Sequence, residues 1–214
     1  MKTKPGRLTR AEARERTREE LLAAAEECFL ERGYHATSID QIAEEASYTK
    51  GAVYGNFDSK EDLFLAVYER RVERGVEQAH RAFAEAGTAE GFERTIVERG
   101  RRNRRDERWL AVFFEFWAYA VRNPASRERF AELHARALEP FVEASARLAA
   151  EQGAELPVDP RSWTIALNAM QVAITLERLT QPDVVDVDLG LRMQRFVVEA
   201  LSSGQSPRER RRKR

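Results

Sequence analysis

Between Thr37 and Phe64 the chain reads TSIDQIAEEASYTKGAVYGNFDSKEDLF, and this spacing of caps, apolar positions and turn is the tightest constraint on the fold. Ile39, Ile42, Ala43 and Ala46 recur at steps of three and four, which puts them on one buried helix face. Thr37 or Ser38 caps that helix, and Gln41, three residues after Ser38, closes a capping box. Ser47-Tyr48 makes the turn, Thr49 caps a second short helix, and Val53 and Phe57 face the core four residues apart. Lys50, Gly51, Ala52, Tyr54, Gly55 and Asn56 remain outward. They are small, polar or cationic, which suits a helix lying in a major groove. The pattern is that of a helix-turn-helix, although an αα-hairpin inside a helical bundle has the same spacing.

From about Arg18 to Tyr68 the sequence resembles the N-terminal domain of TetR/AcrR (tetracycline-repressor) transcriptional regulators. The matching residues are Phe29-Leu30-Glu31-Arg32-Gly33-Tyr34, Ala36-Thr37-Ser38-Ile39 with Ile42-Ala43, then Thr49-Lys50-Gly51, Val53-Tyr54, Phe57 and Ser59-Lys60-Glu61. Two departures stand out. The turn in such proteins usually carries Gly and a small aliphatic residue where this chain has Ser47-Tyr48, and Gly55-Asn56 offers only one amide side chain for reading bases. The resemblance implies a homodimer that binds a double-stranded DNA operator and answers to a small-molecule effector. Repression is the family default.

Formal net charge is zero, yet charge is unevenly spread. Residues 1–18 carry seven Lys/Arg against two Glu, residues 208–214 also sum to +5, and the stretch between is net −10. A basic arm leading into the first helix is suited to reach phosphates beside the helix-turn-helix. The final run follows Ser202-Ser203-Gly204 and reads as a basic tail serving either DNA affinity or solubility. No apolar run approaches the ~20 residues of a membrane span, and the charged N-terminus lacks the apolar core of a secretory signal. The single cysteine, Cys28, leaves no intramolecular disulfide and reads as a core residue. A cytoplasmic location without membrane partners is expected.

The remainder reads as helices punctuated by Pro, Gly and Asp, with no strand-like alternation. A long helix runs from Lys60 to about Ala86 and is ended by Gly87-Thr88, a further helix follows to about Asn103, and a third spans the apolar stretch WLAVFFEFWAYAV. Asn123-Pro124, Asp159-Pro160 and Pro182–Val187 delimit three more. The fold class is therefore all-α, with about nine helices. The expected division is residues 1–59 for the arm and helix-turn-helix, 60–202 for a helical effector-binding and dimerisation domain, and 203–214 for the tail.

Site residues follow from these placements. Thr37, Ser38, Thr49, Tyr54 and Lys60 are candidates for phosphate contact, Lys50 for a guanine edge and Ala52 for a thymine methyl, with Gly51 allowing close approach. Trp109, Phe113, Phe116, Trp117 and Tyr119, with His134 and Leu138, suggest an aromatic effector pocket or simply a helical core. In the helix Ser162–Thr180, Trp163, Leu167, Met170 and Ile174 form one apolar stripe and Ile165, Ala169, Val172, Leu176 and Leu179 a second. Between them lies a polar stripe that includes Asn168 and Gln171, suited to solvent, a dimer axis or a pocket wall. Pairing the first stripe with Leu191, Phe196 and Leu201 predicts a two-fold four-helix interface.

Enzyme readings find little support: there is no Gly-rich phosphate loop, no HExxH, no nucleophile elbow, and only three histidines. No cofactor or metal is expected. A helical partner-binding or architectural protein without an effector is the alternative.

Overall fold

The computed structural model describes residues 9–86, 104–152, 155–186 and 188–202, and among them the regular structure is helical with no strand. Eight helices are described: α1 (Arg10–Ala36), α2 (Ile39–Glu45), α3 (Lys50–Tyr54), α4 (Lys60–Ala86), α5 (Arg104–Arg122), α6 (Pro124–Gln152), α7 (Pro160–Thr180) and α8 (Leu189–Ser202). The helix expected over 88–103 and the basic tail lie outside the described residues, as do the first eight residues of the arm.

Local chemistry accounts for most helix ends. Ser38 Oγ accepts from Gln41 N at 3.3 Å while Gln41 Oε1 accepts from Ser38 N at 2.8 Å, the expected capping box. Thr49, Ser59 and Asp159 each accept from the backbone N–H three residues on, at 3.2, 3.0 and 3.0 Å. A second box, Thr9 with Glu12, opens α1.

Two compact units emerge. The first holds α1–α3, α4 as far as Glu73, and residues 105–133, so the division expected between residues 59 and 60 falls within it. The reason is aromatic packing. Phe64 of α4 stacks on Phe116 of α5 at 4.2 Å between centroids and on Trp109 at 5.5 Å, while Tyr34 meets Phe64 and Phe116 edge-on at 5.1 Å each. Each such pair is worth about 0.5–1.5 kcal/mol beyond its buried area. Around it, Leu21, Ala25, Phe29, Ile42, Val53 and Leu63 are wholly buried. Cys28 lies in the same core, where burial pushes its thiol up.

The second unit holds α4 from Arg74, α6 from His134, α7 and α8. Ala79 and Ala82 of α4 pack with Ala144 of α6, small residues that let the helix backbones approach, and Phe141 of α6 packs against them. The Thr164 hydroxyl lies 2.8 Å from Pro160 O and 3.2 Å from Ser145 Oγ, joining the first turn of α7 to α6. At Gly190 of α8 an added Cβ would fall 2.4 Å from Gln171 Oε1, so the missing side chain lets α8 close on α7.

Candidate nucleic-acid interface

Gly33 sets the path into the helix-turn-helix. At φ +83° and ψ 170° it breaks α1 one turn before its end, in a region open essentially only to glycine. A Cβ there would also meet Glu115 Oε1 at 2.4 Å. Glu115 of α5 accepts from the His35 N–H at 3.1 Å, tying off a backbone donor that the break exposes.

Thr37 and Lys60 both turn inward, against the expectation that they meet phosphate. Thr37 is 1% exposed, and its hydroxyl lies 2.7 Å from Gly33 O and 3.1 Å from Cys28 O. Lys60 donates to the carbonyls of Tyr34 (2.9 Å), His35 (3.3 Å) and Thr37 (2.9 Å), and its ammonium lies 4.6 Å from the Tyr34 ring centre. Those three carbonyls match the three hydrogens of the ammonium. Both residues secure the carbonyls that the Gly33 break releases, and burial lowers Lys60 below the ordinary lysine value.

The turn is closed by a Schellman motif. Tyr48 N donates to Ala43 O at 2.8 Å and Ser47 N to Glu44 O at 3.0 Å, with Ser47 in the left-handed region at φ +58°. The Tyr48 hydroxyl donates to Glu20 of α1 and lies 3.4 Å from the Thr17 hydroxyl, so the bulky turn residue becomes a tie between turn and first helix.

On α3, Lys50, Gly51 and Tyr54 are exposed, Ala52 is half-buried, and Val53 is wholly buried. Tyr54 is 49% exposed, a large aromatic ring left in solvent. Lys50 Nζ donates to Asp40 Oδ2 of α2 at 2.9 Å, which holds the lysine above its ordinary value. Ser38 and Thr49, both exposed, begin α2 and α3. The far end of α3 is held by α1: Arg18 Nη1 donates to Asn56 O at 3.2 Å, Arg14 Nη2 lies 3.5 Å from Gly55 O, and the Arg18 guanidinium stands 4.4 Å from the Phe57 ring centre. By sequence these two arginines belong to the basic arm expected to reach phosphates. No local signal identifies them as caps for α3, because their partners lie about forty residues away.

The residues read as an effector wall divide between the units. Trp109, Phe113 and Phe116 are buried and Trp117 and Tyr119 half-buried in the first unit, where Tyr119 donates to Glu61 Oε2 at 2.9 Å. His134, Leu138, Asn168 and Gln171 belong to the second, where Gln171 Oε1 is buried with no hydrogen-bond partner among the described residues. Of the residues read as a dimer face, Trp163 is buried within its own chain, because the start of α7 packs on α6. Leu167, Met170 and Ile174 are half-buried, Phe196 is 64% exposed, and the side chains of Leu191 and Leu201 lie outside those described. Ile165, Ala169 and Leu179 of the second α7 stripe are exposed.

Residues 21–67 match the family model described as bacterial regulatory proteins, tetR family, and residues 88–203, over half the chain, match that of the BetI-type transcriptional repressor C-terminal domain. The activator FasR of Mycolicibacterium smegmatis is 46% identical over 71 residues, 32% of each protein. The repressor AcnR of Corynebacterium diphtheriae is 30% identical over 125 residues, 58% of this chain and 60% of that one. The chain thus spans between about a third and three-fifths of these relatives. A transcriptional regulator from Saccharomonospora viridis in complex with choline has the same fold at TM-score 0.71 and 22% identity, over 86% of this chain and 96% of that one. FadR of Bacillus subtilis in complex with stearoyl-CoA matches at TM-score 0.62 and 17% identity, over 88% and 99%.

Proposed function

Because the chain belongs to the tetR family of bacterial regulatory proteins, we propose that it is a ligand-responsive repressor binding a palindromic DNA operator as a homodimer. The observation that carries this reading is the outward face of α3. Lys50, Gly51 and Tyr54 stand in solvent while Val53 is locked into the core, and Arg14, Arg18 and the Ser47-Tyr48 turn brace the helix from behind. A helix held so firmly and yet lined with small and hydrogen-bonding residues is suited to rigid insertion in a major groove. Lys50 reaches guanine O6 or N7, Ala52 meets a thymine methyl, Gly51 allows close approach, and Ser38, Thr49 and Tyr54 take phosphates.

Two copies reading successive major grooves must hold their α3 helices ~34–36 Å apart. The exposed Phe196 of α8, with Ile165 and Leu179 of α7, is the apolar surface that a second copy would cover. Both α4 and α6 contribute residues to each compact unit, so a change in the second unit reaches the first through continuous helix. An effector held by His134, Leu138, Asn168 and Gln171 biases the pivoting of α4 away from the DNA-competent spacing. A ligand with a substantial hydrophobic part fits the apolar makeup of these helices, and folds of this type have been crystallised with choline and with stearoyl-CoA.

The test is a fluorescence-anisotropy titration against the DNA flanking the gene, with a scrambled control and the Lys50→Ala and Tyr54→Ala variants. Tight binding to the native segment alone, lost in both variants, is the expected result. Equal, salt-sensitive binding to both DNAs, unaffected by the variants, would sink the base-reading role of α3. A reporter under the same segment gives the sign, and expression that rises on deleting the regulator identifies repression.

A further inference from the structure

Asp40 lies in the first turn of α2, and its carboxylate accepts from the Lys50 ammonium of α3 across the turn at 2.9 Å. Both side chains are open to water, 65% and 53% exposed. An ion pair this exposed adds little to stability and pays side-chain entropy to keep its geometry. What it changes is the charge and direction that Lys50 brings to DNA. A carboxylate held on the Lys50 ammonium offsets the charge through which that lysine would attract phosphate, the contact from which most sequence-independent binding arises.

Donor arithmetic then separates two kinds of partner. A lysine ammonium has three hydrogens and accepts none. With one on Asp40, two are left, and the guanine edge in the major groove offers two acceptors, O6 and N7. A phosphate, by contrast, is met by lysine as a point charge, and that charge is already offset by the carboxylate. Asp40 also belongs to a helix fixed by the Ser38–Gln41 box and by Ile39, Ile42 and Ala43 in the core, so the anchor for the ammonium is rigid.

From this geometry we propose that Asp40 is a specificity-determining positioning residue: it aims the Lys50 ammonium at a guanine edge and withholds it from sequence-independent phosphate contact. The inference rests on the reading of α3 as the base-reading helix. It predicts that removing the Asp40 charge makes the protein bind DNA more tightly but less selectively, the opposite of what loss of a base contact does.

Asp40→Asn keeps the size and helix-start chemistry of the side chain while removing the charge. Full-length wild type, Asp40→Asn, Lys50→Ala and the double variant are titrated on the flanking segment and its scrambled counterpart between about 50 and 200 mM salt. Asp40→Asn should strengthen binding to the scrambled DNA and steepen its log–log salt slope by about one per half-site. The preference for the native segment should fall about tenfold, and all three changes should vanish in the Lys50→Ala background. Unchanged scrambled-DNA affinity and slope in Asp40→Asn, with a wild-type melting midpoint, would overturn the proposal. So would equal changes in the Lys50→Ala background, since the effect would then be general charge and not positioning. Failure of the wild type to prefer its native segment is a separate result, which overturns the base-reading role of α3 and this inference together.

Discussion

Ser47 is the one non-glycine residue in the left-handed region among the described residues, and its backbone shows what that position costs. It occupies the left-handed position of the Schellman motif at φ +58°, where a residue with a Cβ is strained by roughly 1–2 kcal/mol. Glycine removes that strain but has about 0.5–1 kcal/mol more chain entropy to lose on folding. Strain is the larger effect. Ser47→Gly should therefore stabilise the protein by about 0.5–1 kcal/mol, read as a higher urea midpoint at unchanged m-value. A lower midpoint would mean that the serine makes compensating contacts. His134 is a second informative residue. Burial pushes its imidazole below the ordinary value of 6.5, so as pH falls the unfolded chain takes up the proton first. The unfolded state then binds more protons, and stability, complete above pH 6.5, is progressively lost as pH drops below that value toward the lowered native value. Melting curves between pH 7.5 and 5 should show a falling midpoint that His134→Gln flattens; equal slopes in the two proteins would reject this source of pH dependence.

At the scale of elements, α1 and α4 are joined by a buried charge cluster that helical periodicity does not reveal. Glu26 of α1 is nearly inaccessible, and its two carboxylate oxygens accept from Arg70 at 2.8 Å and Arg71 at 2.6 Å of α4. Arg70 continues to Glu19 at 3.3 Å, and the Arg71 guanidinium lies 4.5 Å from the Trp109 ring centre. Such a cluster contributes modestly while intact but is costly to break, because removal of the carboxylate leaves two guanidinium groups without their shared partner in a dry site. Glu26→Ala should destabilise the chain by about 3–5 kcal/mol, far above the value for an exposed ion pair such as Arg16–Glu20. Chemical denaturation of Glu26→Ala beside Glu20→Ala makes the comparison, and equal losses would show that Glu26 is solvated in solution. The position of α4 against α1 matters because Lys60, at its start, secures the three carbonyls at the end of α1, next to the helix-turn-helix.

At the scale of the whole molecule, the question is what covers the apolar surface of α7 and α8. Phe196 is 64% exposed in the single chain, a degree of exposure that a large aromatic side chain rarely keeps in the functional state. Phe196→Glu should shift the protein from dimer to monomer in analytical ultracentrifugation. It should also weaken operator binding by an order of magnitude or more, because each half-site then binds alone. A variant that stays dimeric would move the interface elsewhere. The compact units carry a related lesson: residues 105–133 cluster with α1–α3 and with α4 as far as Glu73, so α5 belongs to the first unit by contact though not by sequence order.

Sequence alone determined what depends on neighbours within about four residues. The Ser38–Gln41 box, the Thr49, Ser59 and Asp159 caps, the apolar faces of α2 and α4, and the Asn123-Pro124 junction all follow from side chains that satisfy backbone groups one turn away. For the same reason Lys50, Gly51, Tyr54 and Gly55 were legible as exposed, whereas Ala52 and Asn56, read as outward with them, are half-buried. Tertiary structure alone decided where polar groups found distant partners. It turned Thr37 and Lys60 from phosphate ligands into anchors for carbonyls, Arg14 and Arg18 into caps for α3, and Glu115 into the partner of the Gly33 break. It also put Trp109, Phe113 and Phe116 into one aromatic core with Tyr34 and Phe64. The physical reason is that a charged or hydroxyl side chain is equally compatible with solvent, phosphate or a buried carbonyl. Which one it meets is settled by how helices far apart in the chain pack, and by the high cost of leaving a buried polar group unpaired.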